Sequence, residues 1–184
     1  MPDLFDVLTA AHDRIFTLVT ELTGGSADPI AGPKGRKAIA DRLVRELSRH
    51  EVAEEIVFWP LVRGRVDDGE SMALVALDQE KTGKRMLNEL VHTSPGNDEF
   101  SMLTHSVAAH LREHITYEQN VVWPKLRLRL DGAERRALGE KLEQLERRSP
   151  TRPHPHVPAD PSLLKTVGPA AALLDRARNV FYRG

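Results

Sequence analysis

The stretch LVRELSRHEVAEEIVFWPLVRGR, residues 43–65, decides the fold, because it returns without a gap as VAAHLREHITYEQNVVWPKLRLR at 107–129. Identities fall at Leu47/Leu111, His50/His114, Glu54/Glu118, Val57/Val121, Trp59/Trp123, Pro60/Pro124, Arg63/Arg127 and Arg65/Arg129. In both copies apolar residues recur every three to four positions, the period of an amphipathic helix. The stripe of the first copy, extended upstream, reads Ile39, Leu43, Leu47, His50, Glu54, Val57, Leu61. That of the second reads Leu103, Val107, His110, His114, Glu118, Val121. The segments before them align as well: HDRIFTLVTEL (12–22) falls on EKTGKRMLNEL (80–90), with His12 in register with Glu80. Two helical hairpins of one design, related by a pseudo-two-fold axis, are expected.

Working outward, helices are expected over about 4–22, 35–64, 70–92 and 98–129. Asp3 suits an N-cap and Gly24-Gly25 a stop, while Asp67-Asp68-Gly69 and Ser94-Pro95-Gly96-Asn97 are turn signals. No strand-like alternation competes. The fold class is therefore all-α, an antiparallel up-down-up-down four-helix bundle over residues 1–130. A charged accessory helix is expected at 131–148. The remaining 149–184 opens with SPTRPHPHVPADP, which carries five of the twelve prolines and reads as an extended linker. A short amphipathic helix at 163–181 would follow and dock on the bundle or on a partner.

At 184 residues, 40% hydrophobic and 29% charged, the chain has the composition of an ordinary soluble domain. A net charge of −1 argues against a nucleic-acid binder working through a strong overall positive field. With no cysteine, disulfides, thiol catalysis, iron–sulfur ligation and Cys-based zinc sites are excluded. No apolar run approaches a membrane span and no signal peptide leads the chain, so a soluble, cytoplasmic protein is expected. Redox chemistry would have to come from His, Asp, Glu or Tyr holding a metal, or from a bound cofactor.

The informative residues interrupt the apolar stripes. His12 lies between Leu8 and Ile15, His50 and Glu54 between Leu47 and Val57, Glu80 between Ala76 and Leu87, His114 and Glu118 between Val107 and Val121. Each helix thus turns an ionisable group inward at mid-height. A buried, unpartnered carboxylate or imidazole costs several kcal/mol, against a net stability of only about 5–15 kcal/mol. These groups must pair with one another or hold something. Residues four apart on a helix differ by about 40° in direction and about 6 Å in height, so a His-x-x-x-Glu pair reaches one cluster. Three imidazoles and three carboxylates suit two adjacent first-row transition ions, with Glu54 and Glu118 able to bridge them. A buried His–Glu salt-bridge network is the alternative.

At these residues the chain resembles the hemerythrin-like family, the HHE cation-binding domain. The motifs are AHDRI around His12, RHEVAEEIVFWP around His50 and Glu54, and EHITYEQNVVWP around His114 and Glu118. The resemblance implies a bundle holding a non-haem di-iron centre, two irons bridged by carboxylates and an oxo or hydroxo group. By position His12, His50, Glu54, His114 and Glu118 match family ligands. The family usually carries histidine where this chain has Glu80, beside Gln79. Either Glu80 itself or His110 would then complete the set. Glu51 resembles an auxiliary carboxylate of some relatives, or is a surface charge on a solvated face. Tyr117 would bond a ligand or pack, and Gly83 would leave room for a small molecule or allow close helix packing.

The expected function is the binding or reduction of a small oxygen species, that is dioxygen, peroxide or nitric oxide, with peroxide decomposition among the reactions. The alternative is a non-catalytic iron or oxygen sensor acting through a partner. Neither nucleic acid nor membrane is an expected partner, and a homodimer is compatible with the sequence.

Overall fold

The computed structural model describes residues 1–24 and 32–148; the linker and helix expected within 149–184 lie outside them. Helix α1 (Leu4–Leu22) begins with a capping box. The Asp3 carboxylate accepts from the Phe5 and Asp6 N–H groups, and Asp6 accepts from the Asp3 N–H. It ends before Gly24, whose φ of +87° needs a residue without a Cβ. The second rod is α2 (Pro33–Ala53), a π turn (Glu54–Phe58) and α3 (Trp59–Arg65). Then comes α4 (Gly69–His92), and a fourth rod made of α5 (Asp98–Tyr117), a second π turn (Glu118–Val122) and α6 (Trp123–Arg127). Asn97 caps α5 by accepting from Phe100 N–H at 2.9 Å.

The rods close a ring, α1 on α2, α2 and α3 on α4, α4 on α5, and α5 on α1. This is the antiparallel four-helix bundle the repeat implies. Helix α7 (Gly132–Arg148) lies outside it, packed on α1, α2 and the first π turn, with Leu142 fully buried. Its seat on the N-terminus is tight, since a Cβ at Gly139 would stand 2.8–3.0 Å from the Pro2 and Asp3 backbone.

The two π turns correct the expectation of uninterrupted α-helices. Pro60 and Pro124 lack an N–H, and their rings crowd the carbonyls of Ile56 and Asn120 four residues earlier. The chain answers by widening one turn, so that Trp59 N–H donates to Glu54 O and Trp123 N–H to Glu118 O, five residues back. One inserted residue swings the downstream turns of the rod through roughly 100°. Val121, expected on the core stripe, is 40% exposed, and Val122 is wholly buried in its place. Likewise Val62 rather than Leu61 is fully buried.

The core is divided in two. One apolar cluster contains Leu4, Phe5, Leu8, Phe58, Trp59, Met72, Val122, Trp123 and Leu126. The other contains Ile15, Val19, Leu43, Leu47, Leu87, Leu90, Phe100, Val107 and Leu111. The inward polar residues occupy the level between them. Among the described residues no helix is long and apolar enough to cross a membrane.

Candidate metal centre

His12, His50, Glu54, Glu80, His114 and Glu118 are all buried and meet on the bundle axis. His12, His50, Glu54 and Glu118 each bring one donor atom to a group within 4.8 Å, and Glu54, Glu80 and His114 form a second such group. Glu54 belongs to both. His12 Nε2 lies 3.0 Å from His50 Nε2 and 3.2 Å from Glu118 Oε2. His50 Nε2 is 3.3 Å from Glu54 Oε1, and His114 Nε2 is 3.2 Å from Glu118 Oε1. The two glutamates that open the π turns therefore sit between the two groups, as the pseudo-two-fold relation of the repeat requires.

The tryptophans after the π turns obey the same symmetry. Trp123 stacks on the His12 ring, with centroids 5.3 Å apart and planes at 15°. Its repeat partner Trp59 donates Nε1–H to Glu80 Oε1 at 2.5 Å. Each Trp-Pro thus places an indole against the group on the first helix of the other hairpin.

Electrostatics at the centre are those of carboxylates deprived of water. Burial, then Glu118 and Glu80, pushes Glu54 well above the usual carboxylate range. Burial and Glu55 do the same to Glu80. Burial also acts on Glu118, but the His114 and His12 imidazoles outweigh it and hold that carboxyl below its ordinary value. Burial lowers His12. In His114 burial is overcome by Glu118, and the net direction is upward.

Several buried atoms find no hydrogen-bond partner: both oxygens of Glu54, both of Glu118, Glu80 Oε2 and His114 Nε2. Buried polar atoms are ordinarily satisfied, and so dense a set of orphans converging on one point is what a cation would complete. A mixed imidazole and carboxylate donor set suits iron, manganese or zinc. The residues present fit a metal centre.

Around the donors lies a shell that sequence reading missed. His114 Nδ1–H donates to Gln79 Oε1 at 3.1 Å, which leaves Nε2 as the free lone pair. The Gln119 side-chain amide is 3.1 Å from His12 Nδ1. Glu146, from α7, approaches His50 Nδ1 to 3.7 Å. Lys84 donates to Glu55, stands 4.0 Å from Glu80 Oε2, and has its pKa raised because Glu51, Glu55 and Glu80 overcome its burial. Gln79 and Gln119 adjoin the inward glutamates in sequence, and Lys84 is four residues beyond Glu80; those are the only signals the chain offered.

The further candidates fall outside both donor groups. His110 is half-buried and its Nε2–H donates to the Gln79 carbonyl at 2.8 Å. Glu51 is not on a solvated face: it is buried, 4% exposed, and burial, moderated by Lys84, raises its pKa to about 7. Gly83 is buried, and a Cβ there would meet the His110 ring at 3.5 Å and Glu51 Oε1 at 3.8 Å, so those side chains occupy the notch. Tyr117 packs on the first core cluster and reaches the Met72 carbonyl at 3.4 Å.

Comparison with known proteins agrees with the bundle fold. A crystal structure of a hemerythrin HHE cation binding domain-containing protein from Mycobacterium kansasii superposes with a TM-score of 0.68 at 22% identity, covering 95% of this chain and 99% of that one. An uncharacterized hemerythrin-like protein of Schizosaccharomyces pombe is 27% identical over 141 residues, 76% of this chain and 70% of its own. A DNA nickase of Nostoc sp. is 25% identical over 122 residues; the match takes 66% of this chain and spans about a third of the nickase, 33%. The Hemerythrin HHE cation binding domain family model matches residues 3–126, and the chain belongs to that family.

Proposed function

We propose that the centre holds two iron ions and binds or reduces a small oxygen species, with peroxide the leading substrate. Charge carries the reading. Five carboxylates, Glu51, Glu54, Glu55, Glu80 and Glu118, are buried at or beside the centre, and Lys84 is the ammonium packed among them. Once metal binding has displaced their protons, two divalent cations would balance the four charges left after Lys84. His12, His50 and His114 would be terminal ligands, Glu54 and Glu118 bridges, and Glu80 would complete the sphere on the His114 side. Bound iron would supply the electron steps that no side chain of this cysteine-free protein offers.

The surrounding residues hold these groups in place. Gln79 fixes the His114 tautomer, and Trp59 holds one Glu80 oxygen. Glu80 in place of a neutral imidazole adds negative charge, which favours the ferric state and oxidative chemistry over reversible carriage. The apolar clusters above and below exclude bulk water.

Metal analysis, an absorption spectrum, and peroxide consumption by wild type and Glu54→Ala test the proposal. Two irons per chain and turnover lost in the variant are expected. A protein that stays colourless and metal-free, with unchanged stability on adding ferrous iron, would refute it. An iron-loaded protein that neither consumes peroxide nor changes its spectrum with oxygen or nitric oxide would instead be a sensor. Contact between α7 and His50 would then be its output.

A further inference from the structure

On the outer face of the α1–α2 pair lies a groove of about 290 Å³, lined by Arg14, Thr17, Leu18, Arg42, Arg45 and Glu46. It brings three guanidiniums together with one carboxylate. Glu46 is already shared, at 3.4 Å from Arg14 Nε and 3.6 Å from Arg49 Nη1. Arg42 and Arg45 make no ion pair with any described residue. Arg45 is half-buried; burial, partly relieved by Asp41, and the Arg49 and Arg42 charges hold it below the ordinary arginine range. The Thr17 hydroxyl donates to the Asp13 carbonyl, which leaves recognition to the arginines. Arg42 and Arg45, lining one groove without a carboxylate partner, present paired N–H groups that match the oxygens of a tetrahedral anion.

The groove is also wired inward. Arg14 Nη2 is 3.2 Å from Glu146 Oε2, the other oxygen of Glu146 is 3.7 Å from His50 Nδ1, and both of those facing atoms are buried without a hydrogen-bond partner. Glu146 is therefore divided between an arginine of the groove and an imidazole of the metal centre.

We propose that this groove binds an oxyanion of the phosphate class, and that Arg14 and Glu146 relay its occupancy to His50. An anion that draws Arg14 away releases Glu146 to close on the Nδ1–H of His50, which orients the ring and raises its basicity. The effect on metal affinity rests on the proposed iron centre, and is reciprocal by linkage; the groove itself does not depend on that centre.

The test uses the full chain, metal-free, titrated with inorganic phosphate at constant ionic strength. Heat and the His50 ring resonances are followed together. One saturable site is expected, with the His50 signals moving on the same isotherm. Arg42→Gln with Arg45→Gln should weaken binding by about tenfold or more. Glu146→Gln should leave binding in place and silence the His50 response. Melting curves confirm that the variants fold. A parallel titration with glycerol phosphate separates free phosphate from a phosphorylated metabolite as the source. No heat beyond that of chloride, or a double variant that titrates like wild type, overturns the site. Binding with an unmoved His50 overturns the relay. A chain that takes up no metal would sink the proposed function and leave this titration unaffected.

Discussion

Replacing Glu51 by glutamine should flatten a pH dependence that the metal-free protein otherwise shows. Unfolded, Glu51 ionises near its ordinary value of 4.5; folded, burial lifts it to about 7. Its contribution favours the folded state fully below pH 4.5, where both states hold the proton. That contribution is lost as pH rises, because the unfolded chain gives up the proton first, and the loss is complete above about pH 7. At about 1.4 kcal/mol for each pH unit between the two values, the total is about 3 kcal/mol. For a chain of this size that corresponds to roughly 6–12 °C in melting temperature. The upward shifts of Glu54, Glu80 and His114 act in the same direction, and the downward shift of His12 opposes them. The difference between wild type and Glu51→Gln isolates Glu51. Thermal melts in chelator at pH 5 and pH 8 should show wild type losing stability across the interval and the variant losing about 3 kcal/mol less. Parallel curves for the two proteins would show that Glu51 is not held away from water. Metal should reverse the trend, since binding requires the carboxylates ionised.

Other consequences can be checked with single substitutions. His50→Ala should reduce bound metal and lower the melting temperature of the loaded protein, as read by metal analysis and calorimetry; unchanged stoichiometry would remove His50 from the ligand set. Trp59→Phe takes the hydrogen bond from Glu80 Oε1 in a buried site and should cost about 1.5–3 kcal/mol in urea unfolding. Gly69→Ala would drive a Cβ into the Val62 carbonyl and should destabilise by about 1–3 kcal/mol, whereas Gly83→Ala meets only ordinary contacts and should gain up to about 1 kcal/mol from helix propensity.

The bundle and its six inward donors were legible because the repeat supplied two independent copies of one pattern. His50 and His114 are followed four residues on by glutamate and nine residues on by Trp-Pro, and periodicity alone turns them to the axis. The rest required neighbours. Glu51 reads as a solvated charge along its own helix and is buried where α2 packs on α4, whose Lys84 moderates its charge. Nothing local marks Glu146 as a partner of His50, since α7 is placed by packing on α1 and α2. Val121 was misplaced because a constant 3.6-residue period was carried into the second π turn, where Val122 is the residue that comes inward.

That widening ties the geometry of the donors to foldability. Each π turn shifts the phase of its rod by one residue, and the apolar residues beyond it, Val62 and Leu126, are written in the shifted frame. Deleting one residue from either turn would leave its proline without the widened turn and rotate the rest of the rod off the core. Loss of the donor glutamates by slippage is therefore accompanied by collapse of the packing, so the frame that holds the centre cannot drift silently.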